Sequence, residues 1–124
     1  MRRILISLLL ALGLSLTSMA PVAAGPLEDG QAAYEAGDYS TALRLWEQEA
    51  ERGDANSQYK LGLLYDAGQG IPKDYAEAAK WYRLAAEQGH AAAQDSLGVM
   101  YRDGLGVAQD DAEAVKWIRL AAEQ

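Results

Sequence analysis

Residues 55–88 read ANSQYKLGLLYDAGQGIPKDYAEAAKWYRLAAEQ, and residues 91–124 read AAAQDSLGVMYRDGLGVAQDDAEAVKWIRLAAEQ. Placed over each other at an offset of 36, the two stretches are identical at 19 of 34 positions. A fixed period of this length is typical of stacked helical units, each of which packs on its neighbours. The repeat therefore predicts an array of helical hairpins.

Each copy contains two helical patterns separated by a glycine-bearing loop. The first pattern runs from Ala55 to about Ala67, and Asp54 is its expected N-cap. Gly68 suits the left-handed conformation that ends a helix. The second helix is expected to begin after Asp74 and to end at Gly89. Each copy is thus predicted to fold as one antiparallel hairpin.

Small residues in each hairpin predict a close crossing of its two helices. Gly62 on the first helix and Ala78 on the second leave no bulk at the crossing. The inner face of the second helix is predicted to hold Ala78, Trp81 and either Leu84 or Ala85. Hairpin stability is therefore expected to depend on Gly62.

A shorter third copy precedes these two, at residues 27–54. At the same offset of 36, Asp38, Tyr39, Ala42, Ala50 and Gly53 fall on identical residues of the first full copy. Its loop is about five residues shorter, and Trp46 falls on the position of Tyr82. An entry hairpin with a tighter bend is therefore predicted.

These residues carry a family resemblance. Residues 61–90 (LGLLYDAGQGIPKDYAEAAKWYRLAAEQGH) and 97–124 (LGVMYRDGLGVAQDDAEAVKWIRLAAEQ) resemble the Sel-one-like repeat, whereas residues 34–54 (YEAGDYSTALRLWEQEAERGD) are more similar to the related tetratricopeptide repeat. The resemblance implies an all-α fold, an α-solenoid of antiparallel helix hairpins in a right-handed superhelix. It divides the chain into a tetratricopeptide-like hairpin at 25–54 and two Sel-one-like repeats at 55–90 and 91–124.

The N-terminal residues have the layout of a secretory signal peptide. Arg2 and Arg3 precede a nearly continuous apolar run at residues 4–16, and small residues lead to a predicted cut after Ala24. An uncleaved anchor is the alternative, but a membrane span needs about 20 apolar residues, and this run has 13. We therefore expect residues 1–24 to be removed, no membrane span after cleavage, and a periplasmic or secreted product.

Charge and composition exclude several function classes. Loss of residues 1–24 removes two arginines, which leaves nine Lys and Arg against 18 Asp and Glu, a net charge of −9. This balance argues against nucleic-acid binding through a basic patch and favours a protein or peptide partner of basic character. The chain has no cysteine, which excludes disulfides and thiolate metal sites.

No residue pattern indicates catalysis. The loop at residues 68–70 begins like a dinucleotide fingerprint, but Lys73 stands where the third glycine belongs and a helix precedes the loop instead of a strand. His90 is the only histidine and is interpreted as a linker residue. The acidic residues Asp103, Asp110, Asp111 and Glu113 are interpreted as a solvated helix start. We therefore predict no catalytic, cofactor or metal site.

The resemblance implies that the first helix of each pair lines a concave surface. The predicted partner-binding residues on it are Tyr59, Leu63, Asp66, Asp95, Val99, Arg102 and Asp103. Apolar anchors in an acidic rim suit an extended peptide or a helix of basic character. Alternatively, Leu63 and Val99 only pack against the neighbouring repeat. Specificity is predicted where the copies differ, at the pairs Tyr59 and Asp95, Asp66 and Arg102, Tyr75 and Asp111, and Tyr82 and Ile118.

The last helix is expected to carry Val115, Ile118 and Leu120 on a face that no capping helix covers. This face is expected to be partly uncovered in a marginal monomer. Alternatively, a second copy covers it in a homodimer joined through the C-terminal hairpins, or a partner protein docks on it.

Three function hypotheses remain. The first is an exported, non-enzymatic adaptor or scaffold for protein interactions. The second is an envelope hydrolase, or a modulator of one, acting on cell-wall material. The third is a self-assembling structural subunit.

Overall fold

The computed structural model of the protein describes residues 25–124. The signal-peptide prediction for residues 1–24 lies outside them. Six helices and no strand make up the described residues: α1 (Pro26–Glu35), α2 (Tyr39–Glu51), α3 (Ala55–Ala67), α4 (Tyr75–Glu87), α5 (Ala91–Asp103) and α6 (Asp111–Ala122). None of these helices is long and apolar enough to span a bilayer. The all-α prediction is confirmed.

Each helix packs chiefly against the helices that precede and follow it in the chain. The pairs α1–α2, α3–α4 and α5–α6 form three hairpins, and the pairs α2–α3 and α4–α5 join one hairpin to the next. Because each hairpin packs mainly on the hairpins next to it in the sequence, the chain is an α-solenoid, as predicted.

The buried core consists of two clusters, and each one spans two consecutive hairpins. We call the boundary between the first and second hairpins the first junction, and that between the second and third hairpins the second junction. The first junction buries Ala42, Trp46, Ala50, Leu61, Leu64 and Trp81. The second junction buries Ala78, Ala79, Tyr82, Ala85, Ala86, Ala93, Leu97 and Met100 together with Trp117. Burial of apolar surface therefore holds the hairpins to one another as well as closing each hairpin.

Side-chain caps fix where the helices begin. The Asp54 carboxylate accepts a hydrogen bond from the Ser57 amide at 2.8 Å, and the Asp74 carboxylate accepts one from the Glu77 amide at 3.1 Å. Such caps satisfy amide groups that have no partner within the helix. At the other end of α3, Gly68 has φ of 68°, the left-handed conformation predicted for it. Local sequence signals thus place both hairpin helices correctly.

A glycine on the first helix of each hairpin receives a bulky side chain from the second helix. A Cβ atom on Gly62 would overlap the Tyr82 ring, and one on Gly98 would lie 2.6 Å from Ile118 Cγ1 and 3.1 Å from the Ala114 carbonyl oxygen. Gly30 meets the Trp46 indole in the same way. The predicted close approach of a glycine on the first helix to an alanine on the second is found at Gly98, next to Ala114. At Gly62 the nearest atoms belong instead to the Tyr82 ring.

This arrangement corrects one sequence interpretation and decides between two alternatives. Tyr82 is completely buried because its ring occupies the notch at Gly62, so it is a core residue and its difference from Ile118 does not mark a binding surface. Of the two alternatives for the inner face of α4, Ala85 is buried and Leu84 is 38% exposed. The inner face of α4 therefore comprises Ala78, Trp81, Tyr82 and Ala85.

Buried glutamines tie consecutive hairpins together. The Gln58 side-chain amide donates to the Ala50 carbonyl oxygen at 3.1 Å, and Gln94 donates to the Ala86 carbonyl oxygen at the same distance. Both acceptors lie in the last turn of the preceding hairpin and also accept a main-chain hydrogen bond, Ala50 from the Gly53 amide at 3.0 Å and Ala86 from the Gly89 amide at 2.9 Å. Gln88 in turn donates to the Gln58 side chain at 2.8 Å. We call the bonds made by Gln58 and Gln94 the glutamine staples.

Candidate partner-binding groove

The first junction contains a pocket of about 230 Å³. Its walls come from three helices: α1 contributes Gln31 and Tyr34, α2 contributes Trp46, and α3 contributes Lys60 and Leu63. The pocket therefore lies where the first helices of two hairpins meet, which is the surface that the sequence assigned to partner binding. Leu63 was among the predicted residues, and the other four were not.

Trp46 forms the floor of this pocket. The residue is 2% exposed, and its indole nitrogen donates to the Leu27 carbonyl oxygen at 3.2 Å. The Tyr34 ring packs beside it, with 5.7 Å between the ring centroids. Because the notch at Gly30 and this hydrogen bond fix the indole, the floor is rigid. A rigid aromatic surface binds an apolar group with little loss of conformational entropy.

Lys60 supplies the positive charge at the pocket. Its ammonium group donates to Gln31 Oε1 at 2.7 Å and lies 5.1 Å from the centroid of the Trp46 ring. The ion pairs within residues 25–124 are formed by Arg52, Lys80, Arg102 and Lys116. Lys60 is in none of them. Its charge is therefore held in place by an amide and an aromatic ring, and the carboxylate of Glu35 is reached only through Gln31, whose Nε2 donates to Glu35 Oε1 at 2.9 Å.

The second junction can be compared with the first by aligning its glycine notch, Gly62, with Gly30 and by keeping the offset of 36 for the helices that follow. The residues that then correspond to Gln31, Tyr34, Trp46, Lys60 and Leu63 are, in the same order, Leu63, Asp66, Tyr82, Ser96 and Val99. Here the Tyr82 hydroxyl donates to Asp66 Oδ2 at 3.0 Å. Burial, followed by the charge of Asp66, raises the pKa of the Tyr82 phenol, so the hydroxyl remains a donor at all physiological pH values. Asp66 was predicted to face a partner, and the structure shows its carboxylate engaged by the core.

Tyr59 packs against the solvent-facing side of the second junction. Its ring stacks on the His90 imidazole at 4.7 Å and lies 5.7 Å from the Tyr82 ring. His90 Nδ1 accepts a hydrogen bond from the Ala93 amide at 3.2 Å, which makes this residue the N-cap of α5. The imidazole is therefore neutral, with its proton on Nε2, which lies 3.1 Å from Asn56 Oδ1.

Sequence reasoning took His90 for a linker residue because its stacking partner Tyr59 and its side-chain partner Asn56 lie more than 30 positions away, and only the cap bond to Ala93 is local. Burial lowers the pKa of the imidazole, the nearby Asp54 raises it, and Lys60 lowers it. The shift favours the neutral form that the cap requires. His90 is thus a structural residue at the boundary of two repeats, and the sequence offered only its position before α5 as a signal.

The remaining predicted residues lie along α5. Asp95 is exposed, Val99 is half-buried, and Arg102 pairs with its neighbour Asp103 at 2.8 Å between Nε and Oδ1. This pairing lowers the pKa of the Asp103 carboxyl group. The seven predicted residues therefore form no single cluster: Leu63 lines the pocket, Tyr59 and Asp66 pack at the second junction, and the other four follow α5.

The acidic residues near the α5–α6 loop act locally. Asp110 caps α6 by accepting from the Ala112 and Glu113 amides at 3.0 and 3.1 Å. Glu113 accepts from the Trp117 indole at 3.1 Å. In the part of the chain from residue 25 onward, no group of three or more His, Cys, Asp or Glu residues is arranged to hold a metal ion. These carboxylates therefore serve as caps and helix contacts.

Comparisons with known proteins agree with this architecture. The Sel1 repeat family model matches residues 24–54, 55–90 and 91–124. No curated protein shows significant similarity to the chain. A Sel1 repeat protein from Oxalobacter formigenes is 39% identical, with a TM-score of 0.74 over 79% of this chain and 42% of that one.

Two further structures are similar. A protective antigen of uropathogenic Escherichia coli strains, which displays an SLR fold, is 46% identical, with a TM-score of 0.74 over 80% of this chain and 22% of that one. The cysteine-rich protein B of Helicobacter pylori is 25% identical, with a TM-score of 0.65 over 68% and 63%. The chain thus spans less than two thirds of each of these proteins.

The family match covers all three hairpins, including the short entry hairpin that resembled the tetratricopeptide form. The similar structures share the helical solenoid, and two of them are themselves described as Sel1 repeat or SLR proteins. Together these findings confirm the resemblance drawn from the sequence. The chain belongs to the Sel1 repeat family, whose members are commonly scaffolds for protein interactions and generally non-catalytic.

Proposed function

We propose that this protein is an exported adaptor that binds a protein or peptide segment along the surface of α1, α3 and α5. The observation that carries the proposal is the pocket at the first junction, where Leu63 is 41% exposed beside the buried ring of Trp46. An apolar side chain exposed next to a rigid aromatic floor is typical of an anchor site for a partner. The signal peptide predicted at residues 1–24 supports export.

From this pocket, we place the rest of the proposed binding surface along α3 and α5. Its proposed contact residues are Tyr59, Leu63, Asp66, Asp95, Val99, Arg102 and Asp103. The net charge of −9 after removal of residues 1–24 favours a partner with basic residues over most of this surface. Backbone and polar contacts along the groove would then add to a small number of apolar anchors.

The test separates binding from stability with matched variants. Leu63→Ser and Val99→Ser change the groove, whereas Leu84→Ser changes a leucine of similar exposure on α4. We expect the groove variants to lose the stoichiometric partner that the wild type captures from an envelope extract, and Leu84→Ser to keep it. Thermal midpoints from circular dichroism should match the wild type for Leu63→Ser. A large fall in midpoint with capture retained would show that these residues serve only packing.

One observation favours a second candidate, a homodimer joined through the C-terminal hairpins. Val115 on α6 is 53% exposed, although its counterpart Ala79 on α4 is buried against the following hairpin. Leu120 is exposed nearby on the same helix. Sedimentation of the exported protein measures this directly. A monomer mass at every concentration rules out the dimer, and a mass that rises with concentration and returns to the monomer value in Val115→Ser supports it.

A further inference from the structure

The pocket at the first junction has the size of one side chain. A dry protein cavity of about 150 Å³ holds benzene, and this pocket measures about 230 Å³. Drug-sized ligands and cofactors occupy about 300–1,000 Å³. Tyr34, Trp46 and Leu63 provide apolar wall on three sides. The volume therefore fits a leucine, isoleucine, methionine or phenylalanine side chain of a partner.

The edge of the pocket carries a cation with unused hydrogen-bonding capacity. An ammonium group has three donors, and Lys60 directs one of them to Gln31 at 2.7 Å. Among residues 25–124, Lys60 is the only charged residue that lines the pocket. Because the side chain is half-buried over the Trp46 ring, its charge is screened less by solvent than that of a fully exposed lysine. A carboxylate reaching this edge would meet an ammonium group that is already positioned.

The two features together specify a partner more narrowly than the net charge does. We propose that the partner segment places an apolar side chain in the pocket at Trp46 and an acidic side chain, next to it in sequence, on Lys60. This inference rests on the proposed adaptor function and names the chemistry recognised at one end of its groove. An acidic partner segment differs from the basic partner expected from net charge. The reason is that the pocket carries a positive charge, whereas the chain as a whole is negatively charged.

The experiment begins with selection from a random 12-residue peptide display library. The bait is the protein purified after export from its full-length precursor, and Lys60→Glu serves as a parallel bait. We expect the wild type to enrich peptides with an apolar residue next to Asp or Glu, and Lys60→Glu to enrich an apolar residue next to Lys or Arg. Enrichment without an acidic residue, the same acidic preference in both baits, or no enrichment above a bare support would each overturn the proposal.

The second step measures the pair directly, with one enriched peptide and its Glu→Gln or Asp→Asn version. Fluorescence anisotropy should show that the acidic peptide binds the wild type roughly fivefold more tightly than the amide version. Lys60→Met keeps the long stem over Trp46 and should abolish this difference. Lys80→Met, which removes a lysine stacked on Trp81 outside the pocket, should preserve it. Equal affinities of both peptides for the wild type would overturn the proposal.

The two hypotheses fail in different ways. If Lys60→Glu and the wild type capture the same envelope partner equally, whereas Leu63→Ser captures none, the adaptor function stands and the acidic contact at Lys60 is wrong. If the wild type captures no partner, the adaptor function is wrong. A partner lost from both Lys60→Glu and Leu63→Ser, with circular dichroism spectra unchanged, supports both.

Discussion

At the first junction Trp46 leaves a pocket bordered by Lys60 and Leu63, whereas at the second junction the equivalent residue, Tyr82, donates a hydrogen bond to Asp66 and packs against Tyr59. Both junctions use a glycine notch and a glutamine staple. The framework is therefore the same, and the side chains placed on it differ.

This difference shows how a repeat protein separates folding from recognition. The positions that are identical between copies form caps, notches and staples, so they determine where the helices lie. The variable positions decide whether a junction is open or filled: Lys60 corresponds to Ser96, and Tyr34 corresponds to Asp66. A binding surface can thus change while the stability of the array is kept.

The largest effect is expected from filling a glycine notch. Gly62→Leu displaces the buried Tyr82 ring from its space, so the loss of that ring's burial, about 3–5 kcal/mol, adds to an overpacking cost of about 1–3 kcal/mol. We expect the second and third hairpins to lose their cooperative unfolding transition in circular dichroism. Ala67→Leu, at an exposed position of the same helix, is the control. An unchanged melting curve for Gly62→Leu would show that the notch tolerates a side chain.

The next effect concerns the residue in the notch. Tyr82→Ala removes a completely buried aromatic ring, and such truncations cost about 3–5 kcal/mol. Ile118 fills the equivalent notch but is only half-buried, so Ile118→Ala should cost less. Urea denaturation gives both values. Equal losses would mean that the notch in the third hairpin is packed as tightly as the notch in the second.

The third prediction concerns the glutamine staples, which are present at both junctions. Gln58→Ala and Gln94→Ala each remove one buried hydrogen bond to a carbonyl group that keeps its main-chain bond, which costs about 0.5–1.5 kcal/mol. Because the staples have the same bond length, we expect similar losses in urea denaturation. Gln48→Ala, at an exposed position of α2, should have no measurable effect. A loss at one junction only would show that the staples are not equivalent.

The smallest effect is expected on the pH dependence of stability, because α5 is capped by His90 whereas α3 is capped by Asp54. Burial lowers the pKa of folded His90, so below about pH 6.5, the pKa of an unperturbed histidine, the unfolded chain takes up a proton before the folded chain does. Stability therefore falls as the pH decreases from 7 to 5, by up to about 1 kcal/mol, the usual value of an N-cap. His90→Asp, which copies the cap at Asp54, should lose this dependence in urea denaturation. A wild-type stability that is constant over this range would contradict the prediction.

The sequence predicted the parts of the fold that depend on local signals. The bounds of α3, the caps at Asp54 and Asp74, and the left-handed Gly68 follow from residues a few positions apart, and all are confirmed. Tyr82 was wrongly assigned to a binding surface. Helical periodicity shows which broad face of α4 points inward, but it does not show whether a residue at the edge of that face is covered by a neighbouring helix. That depends on Gly62, which lies one helix away.

The candidate pocket was harder to predict for the same reason. Trp46 and Lys60 come from different hairpins, and the shorter loop of the first hairpin places Gly30 only 32 residues before Gly62. A search at the period of 36 therefore does not align the glycine notch of the first hairpin with the other two. Only Leu63 carried a sequence signal, as an apolar residue on the outward face of α3.

The glutamine staples also bear on how such chains change in evolution. Each staple ends on a main-chain carbonyl group, at Ala50 or Ala86, so the bond makes no demand on the side chain of the preceding unit. Any hairpin of the right length can therefore follow any other and find its acceptor in place. Duplication, loss or exchange of whole units therefore keeps this hydrogen bond, whereas the apolar contacts at each junction still depend on the side chains of both units.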